Sequence, residues 1–264
     1  MAIAGHRSSF FAQFLFQRSL PIRMRIRPAI RATCGALALV LAFASIGVAS
    51  AEDVAEPPVV AVDQLPPGQD VSRTVTELAG WVVATRDTEG YPFAIMDKAA
   101  AQVLVFDGDG RLRGAAPGLF GSAVGDHAAP GIAGLALREI PGRDRTTPAG
   151  RFVGAYGPSI DAGRVLWVDY DSAVSMHPTA TGVPAEKRPE RLASPTPDDN
   201  RVTHGCINVA PEFYEGIIRP TFERGGVFYI LPDTASLAET FPEFVQSRAT
   251  AQSDEGMGAS PENQ

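Results

Sequence analysis

Thr203-His204-Gly205-Cys206-Ile207-Asn208 places a thiol two residues after an imidazole and directly after a glycine, whose backbone turns freely and lets a ligand approach closely. Cys206 therefore reads as a nucleophile. A buried cysteine is most often an inert small hydrophobe. This one lies between a glycine and an expected helix start, with two histidines in reach, a setting that stabilises a thiolate. The only other cysteine, Cys34, falls in an N-terminal segment expected to be removed, so the mature chain keeps one thiol and no disulfide partner. A lone thiol in an oxidising compartment is a liability unless it is used.

Removal of that segment is read from residues 1–51, which carry arginines at 7, 18, 23, 25, 27 and 31 and no acidic residue. The apolar run from Cys34 to Val48 is too short to span a bilayer comfortably, and it ends in Ala49-Ser50-Ala51, the small-x-small pattern of a signal peptidase site. Cleavage is expected before Glu52. Met24, followed by Arg25, Arg27 and Arg31, would open a signal peptide of ordinary length by itself and is the second candidate start. An uncleaved anchor is the competing reading, but Cys34 opens the apolar run instead of following it and is badly placed for lipidation. A periplasmic protein with no membrane attachment after cleavage is the expectation. With six of the 23 basic residues gone and all 30 acidic residues kept, the mature chain carries a formal charge of about −13. This acidity argues against a nucleic acid partner, whose binding draws on clustered Lys and Arg.

Residues 52–70 are rich in proline and acids, without an aromatic residue, and read as an extended linker. From Val71 the pattern becomes helical, with Val71, Val75, Leu78, Val82 and Val83 at helical spacing. It then shortens to strand-like runs at 93–96 and 102–106, a turn at Asp107-Gly108-Asp109-Gly110, and further runs at 152–156 and 165–170. No long alternation of strand and helix appears, which speaks against a doubly wound sheet. Pro211 to Ile218 reads as a helix with proline in its first turn, and Val227 to Leu231 as a closing strand. The domain is expected over 71–232. Residues 233–264 are expected to form one short helix within Leu237–Val245 and a disordered tail from Ser247.

The hexapeptide at 203–208, with a further histidine upstream at a strand end and a helix and strand downstream, resembles the L,D-transpeptidase catalytic domain of bacterial cell-wall enzymes. Thr147-Pro148-Ala149-Gly150-Arg151-Phe152 is similar to that family's Thr-Pro-x-Gly-x-Phe turn, and the similarity covers most of 91–232. The resemblance implies a mainly β fold with a few helices, an antiparallel β-sandwich with a short helix after the catalytic cysteine. It also implies cysteine acyl transfer on peptidoglycan tetrapeptide stems, a part in building the cell wall and setting cell shape, no cofactor, and inhibition by carbapenem-type β-lactams.

His177, in Ser175-Met176-His177-Pro178-Thr179, occupies the upstream histidine position to which the resemblance assigns the general base. Residues 178–202, between His177 and Thr203, form an interval longer than is usual for the family, and proline stands where a small residue commonly follows the histidine. With Pro184, Pro189, Pro195 and Pro197 among Lys187, Arg188 and Arg191, this interval reads as a solvated surface loop beside the site, in preference to a substrate-gripping lid. His204 is expected to orient the cysteine loop, to act chemically, or to contribute its backbone. Gly205 and Cys206 are expected to aim their N–H groups at a developing oxyanion. Asn208, Thr203 and Tyr170 are the candidate substrate contacts, Asn208 having an equal alternative in holding the loop and Tyr170 one in packing within a strand. One mature cysteine and no regularly spaced ligands argue against metal.

A thiolate in this setting attacks a peptide carbonyl, a histidine protonates the departing amine, and a thioester remains. The acyl group then passes to a second stem in a 3→3 cross-link, to a lipoprotein lysine, or to a free D-amino acid. Two alternatives belong to other classes: a hydrolase of the same fold cutting a wall-linked peptide or protein, and a catalytically inactive wall-binding module.

Overall fold

The computed structural model describes residues 71–159, 163–179 and 183–258. The expected signal peptide, the linker of 52–70 and the last six residues of the tail lie outside them. The architecture is mainly β with a few helices. Helix α1 (Arg73–Thr85) starts at Ser72, whose Oγ accepts the Val75 N–H, and stops at Arg86, which adopts the left-handed conformation at φ 55°. Ten strands follow: β1 (Phe93–Asp97), β2 (Gln102–Phe106), β3 (Leu112–Pro117), β4 (Phe120–Gly121), β5 (Gly150–Ser159), β6 (Gly163–Asp169), β7 (Val174–Pro178), β8 (Arg201–Thr203), β9 (Ile207–Val209) and β10 (Gly226–Ile230). Eight of them form one sheet in the order β3-β2-β1-β10-β5-β6-β7-β9, and β4 pairs with β8 apart from it. Pairings are antiparallel except β1 with β10, β7 with β9 and β4 with β8.

The strands divide two cores between alternate residues. On β1, Phe93 and Ile95 face one core while Ala94 and Met96 face the other; on β10, Val227 and Tyr229 part in the same way from Phe228 and Ile230. Both faces are covered, so these strands read as continuous apolar runs and not as alternating ones. One core receives Val75, Leu78, Ala79 and Val82 of α1, together with Phe241 and Phe244. Each fully buried valine, leucine or phenylalanine among them contributes about 1.5–3 kcal/mol. The other core lies where the sheet curls and sets β6, β7 and β9 opposite β1, β2 and β10, as two layers with Tyr214, Ile218 and Phe222 between them. Tyr214 and Ile218 come from a helical segment that passes from Pro211–Phe213 through a π-helical turn at Tyr214–Ile218 to Arg219–Thr221, and Phe222 is the residue that caps its end. The curl nearly closes: Leu119, just beyond edge strand β3, exchanges backbone hydrogen bonds of 2.8 and 3.0 Å with Asn208 of β9 at the opposite edge.

The C-terminal part departs from expectation. Short helix Leu237–Thr240 is followed by a second, Pro242–Gly258, that continues through the stretch expected to be disordered from Ser247. The reason lies in its first two turns. Phe244 is fully buried, and Arg248 both stacks over its ring and pairs with Glu77 of α1 at 2.9 Å. No described helix is long and apolar enough to cross a membrane.

Candidate active site

The register of β7 against β9 assembles the site. His177 lies opposite Asn208 and Met176 opposite Ile207, which sets Cys206, one residue before β9, beside Ser175. Ser175 and His177 are two apart on one strand, so they share a face while Met176 turns into the core. The Cys206 sulfur lies 3.5 Å from Ser175 Oγ and 3.8 Å from the Ala173 carbonyl oxygen. Sequence reasoning missed Ser175; the two-residue alternation back from His177 is the signal that could have found it.

The loop carrying the thiol is held by two buried threonines. Thr203 Oγ1 accepts the Gly205 N–H (3.1 Å) and donates to the Cys206 carbonyl (2.6 Å), while Ser122 N–H ties the Thr203 carbonyl to the segment after β4. Thr147 Oγ1 donates to the Gly205 carbonyl (2.8 Å) and accepts the Gly121 N–H (2.9 Å). Behind it Lys98 Nζ, fully buried, reaches the Thr147 carbonyl at 2.8 Å and the carboxylates of Asp126 and Asp233, and Asp233 in turn holds Arg201 of β8. Removing one member of such a buried network costs about 3–5 kcal/mol.

Three expectations need correction here. Thr203 is not turned toward a substrate: it is buried and its hydroxyl is spent on bracing the loop. The Gly205 N–H is likewise engaged by Thr203 and does not stand ready for an oxyanion. The thiol is followed by strand β9, with the helix beginning only at Pro211, so no helix start supports a thiolate directly. Gly205 has a different demand on it. Its φ is 130°, and a Cβ there would come within 2.7 Å of the Thr146 carbonyl oxygen. Gly205→Ala is expected to cost about 1–3 kcal/mol of stability and to slow alkylation of Cys206. Thermal unfolding and labelling rates measure both, and wild-type values in each would contradict this packing.

His177 is mostly buried and doubly held. Its Nδ1 lies 2.9 Å from the Pro178 carbonyl oxygen and its Nε2 lies 3.1 Å from Asn208 Nδ2. Asn208 is itself fully buried, and its Oδ1 accepts from the Arg188 guanidinium at 2.6 Å. Residues 183–199 are thus more than a solvated loop. They fold into a 3₁₀ turn at Pro184–Glu186 and a short helix at Arg188–Leu192, where Glu186 pairs with Arg188 (2.6 Å) and Arg191 grips the Glu186 and Asp199 carbonyls.

Electrostatics set the two histidines apart. Burial opposes charge on Cys206, but His177, and Ser175 after it, more than offset this and leave the thiol below its ordinary pKa. Burial also disfavours charge on His177, and there the Cys206 sulfur outweighs it and leaves the imidazole raised. His204 is lowered, by burial and by the Arg145 cation. Together with Gly205 and Cys206 it lines a cleft to which Ile132, Leu135, Leu137 and Ile140 contribute apolar surface. Tyr170 is 45% exposed and rests edge-on against Trp167, with ring centroids 5.3 Å apart. Among the described residues no three His, Cys, Asp or Glu side chains are grouped to hold a metal ion.

No protein-family model matches the chain, and no curated protein matches it. Solved structures do. Its neighbours among them include L,D-transpeptidases. The chain is similar to the LD transpeptidase LdtMt1 in complex with imipenem at 15% identity and a TM-score of 0.32, over 53% of this chain and 58% of that one. It is similar to the L,D-transpeptidase of Xylanimonas cellulosilytica at 14% identity and a TM-score of 0.32, over 54% and 61%. A third neighbour is the helical cell shape determining protein Pgp2 of Campylobacter jejuni, at 14% identity and a TM-score of 0.36, over 62% and 58%. The match spans about three fifths of the length of each of these proteins. What the site of this chain can do is decided by its own residues.

Proposed function

We propose that the chain is an exported, periplasmic cysteine acyltransferase, an L,D-transpeptidase that cleaves peptidoglycan tetrapeptide stems after the third, diamino-acid residue. The observation that supports this is the Cys206 thiol, lowered in pKa by His177, in the lining of a cleft and on a loop braced by Thr203 and Thr147. Neutral His177 takes the proton from Sγ onto Nε2, and the sulfur attacks the carbonyl carbon ahead of the terminal D-alanine. The Cys206 N–H is the backbone donor left to meet the oxyanion, since that of Gly205 is engaged. The imidazolium gives its proton to the departing amine, D-alanine leaves, and the stem remains as a thioester on Cys206. An incoming amine then attacks the thioester, gives up a proton through His177, and restores the thiol.

The acceptor is a second stem, a lipoprotein lysine or a free D-amino acid; with water in its place the same steps make a hydrolase. Intact mass after incubation with tetrapeptide-stem muropeptides tests the proposal. The expected result is a Cys206 adduct that has lost D-alanine, followed by cross-linked or exchanged product, and a single adduct with a carbapenem. Absence of any adduct on a folded protein rejects the proposal, and tripeptide stems as the sole product would make the enzyme a hydrolase.

A further inference from the structure

The contact that the reaction above leaves unexplained is Arg188. It comes from the long interval between His177 and Thr203, its side chain is 13% exposed, and its guanidinium ends on an amide oxygen and not on a substrate-facing surface. A guanidinium only donates hydrogen bonds. The Asn208 atom 2.6 Å from it must therefore be Oδ1, which fixes the amide so that Nδ2 faces His177 Nε2 at 3.1 Å. An amide N–H offers Nε2 a proton and needs a lone pair there. The proton of the neutral imidazole then sits on Nδ1, where the Pro178 carbonyl oxygen accepts it at 2.9 Å. One chain of donors and acceptors runs from Arg188 through Asn208 to both nitrogens of His177.

We infer that Arg188 is a positioning residue that acts through the Asn208 amide to bias His177 toward its neutral form, with its lone pair on Nε2, in the resting enzyme. This rests on the reading of His177 as the base toward Cys206. When the Cys206 proton passes to Nε2, the imidazolium has an N–H where Asn208 also presents one, and two donors face each other. The amide could relieve this by turning Oδ1 toward His177, but Arg188 holds that oxygen. Arg188 thus opposes the imidazolium both by its charge and by locking the amide, against the pull of the thiol toward an ion pair. The charged and titratable groups facing His177 are Cys206 from the loop before β9 and Arg188 from the helix at 188–192, the latter paired with Glu186.

The test is the titration and tautomer of His177, followed by imidazole nitrogen resonances in the mature chain. Arg188→Met is expected to move the His177 midpoint to higher pH, by about tenfold in proton concentration, the worth of one hydrogen bond changed from opposing to supporting the charge. Arg188→Lys, which keeps a charged donor, is expected to restore most of the wild-type midpoint. In an Asn208→Ala background Arg188→Met should move the midpoint far less. Equal midpoints in wild type and Arg188→Met overturn the inference. So does a shift of undiminished size in the Asn208→Ala background, which would make the effect one of charge through space. Should Arg188→Met fail to fold, the wild-type tautomer still decides, because a neutral His177 protonated at Nε2 contradicts the chain of contacts. None of these readings uses muropeptide turnover, so a missing Cys206 adduct would sink the transpeptidase reading and leave the titration result standing.

Discussion

Cys206→Ala is expected to abolish acylation by stem peptides, to lower turnover by about 10⁶, the scale on which removal of a nucleophile from a cysteine or serine site is felt, and to abolish labelling by a thiol reagent. The fold should survive. The sulfur contributes contacts of 3.5 Å to Ser175 and 3.8 Å to the Ala173 carbonyl, and the loop is held without it by Thr203 and Thr147. Truncation there removes one small group from a half-buried site, a loss of about 1 kcal/mol or less. Adduct formation by mass and thermal unfolding are read on the same sample. Full activity in the alanine variant would refute the nucleophile assignment, whereas loss of activity together with loss of the cooperative thermal transition would make the residue structural.

Different parts of this molecule were unequally visible in its sequence, and the difference has physical causes. Helix α1 declared itself because only one of its faces is buried, leaving a clean helical period in Val75, Leu78 and Val82. Strands β1, β2 and β10 were recognisable as strands, but their apolar runs could not tell that β10 lies in the middle of the sheet and runs parallel to β1, since burial on both faces erases the alternation that carries such information. The helix beyond Ser247 was read as a tail because its sequence is small and polar; what orders its start is a contact with Glu77, some 170 residues earlier in the chain.

In the candidate site, the nearness of Cys206 and His177 is legible from the hexapeptide and the strand before it. Thr203 and Gly205 were legible as residues but not in their roles, because bracing and substrate contact make the same demand for a small polar group. Lys98 follows a strand and precedes three alanines, a pattern indistinguishable from an exposed turn, and only the distant Asp126 and Asp233 explain its burial. Arg188 sits in the interval that departs from the family pattern, so the resemblance that identified its neighbours was silent about it.

The second large effect is expected from the histidines, and their opposite shifts make it decisive. His177→Ala should lower the rate of Cys206 acylation by about 10² to 10⁴, the worth of a positioned proton transfer. The sign of the accompanying pH change follows from the thiol. Burial alone raises the Cys206 pKa, and His177 is the first of the groups that bring it down. Without His177 the thiol must ionise at higher pH than in wild type, so the rising limb of acylation against pH should move to the alkaline side as well as fall in height. His204 stands differently. It lines the cleft, and its own pKa is lowered by burial and by Arg145, so it is already neutral where His177 begins to titrate. His204→Ala should therefore leave the limb in place and reduce only its plateau, by as much as the cleft depends on that side chain for binding. Acylation rates across pH in the two variants separate these cases. If His177→Ala keeps the wild-type rate and limb while His204→Ala loses them, His204 is the base, and the contacts of His177 with Pro178 and Asn208 serve only to close the strand pair β7–β9.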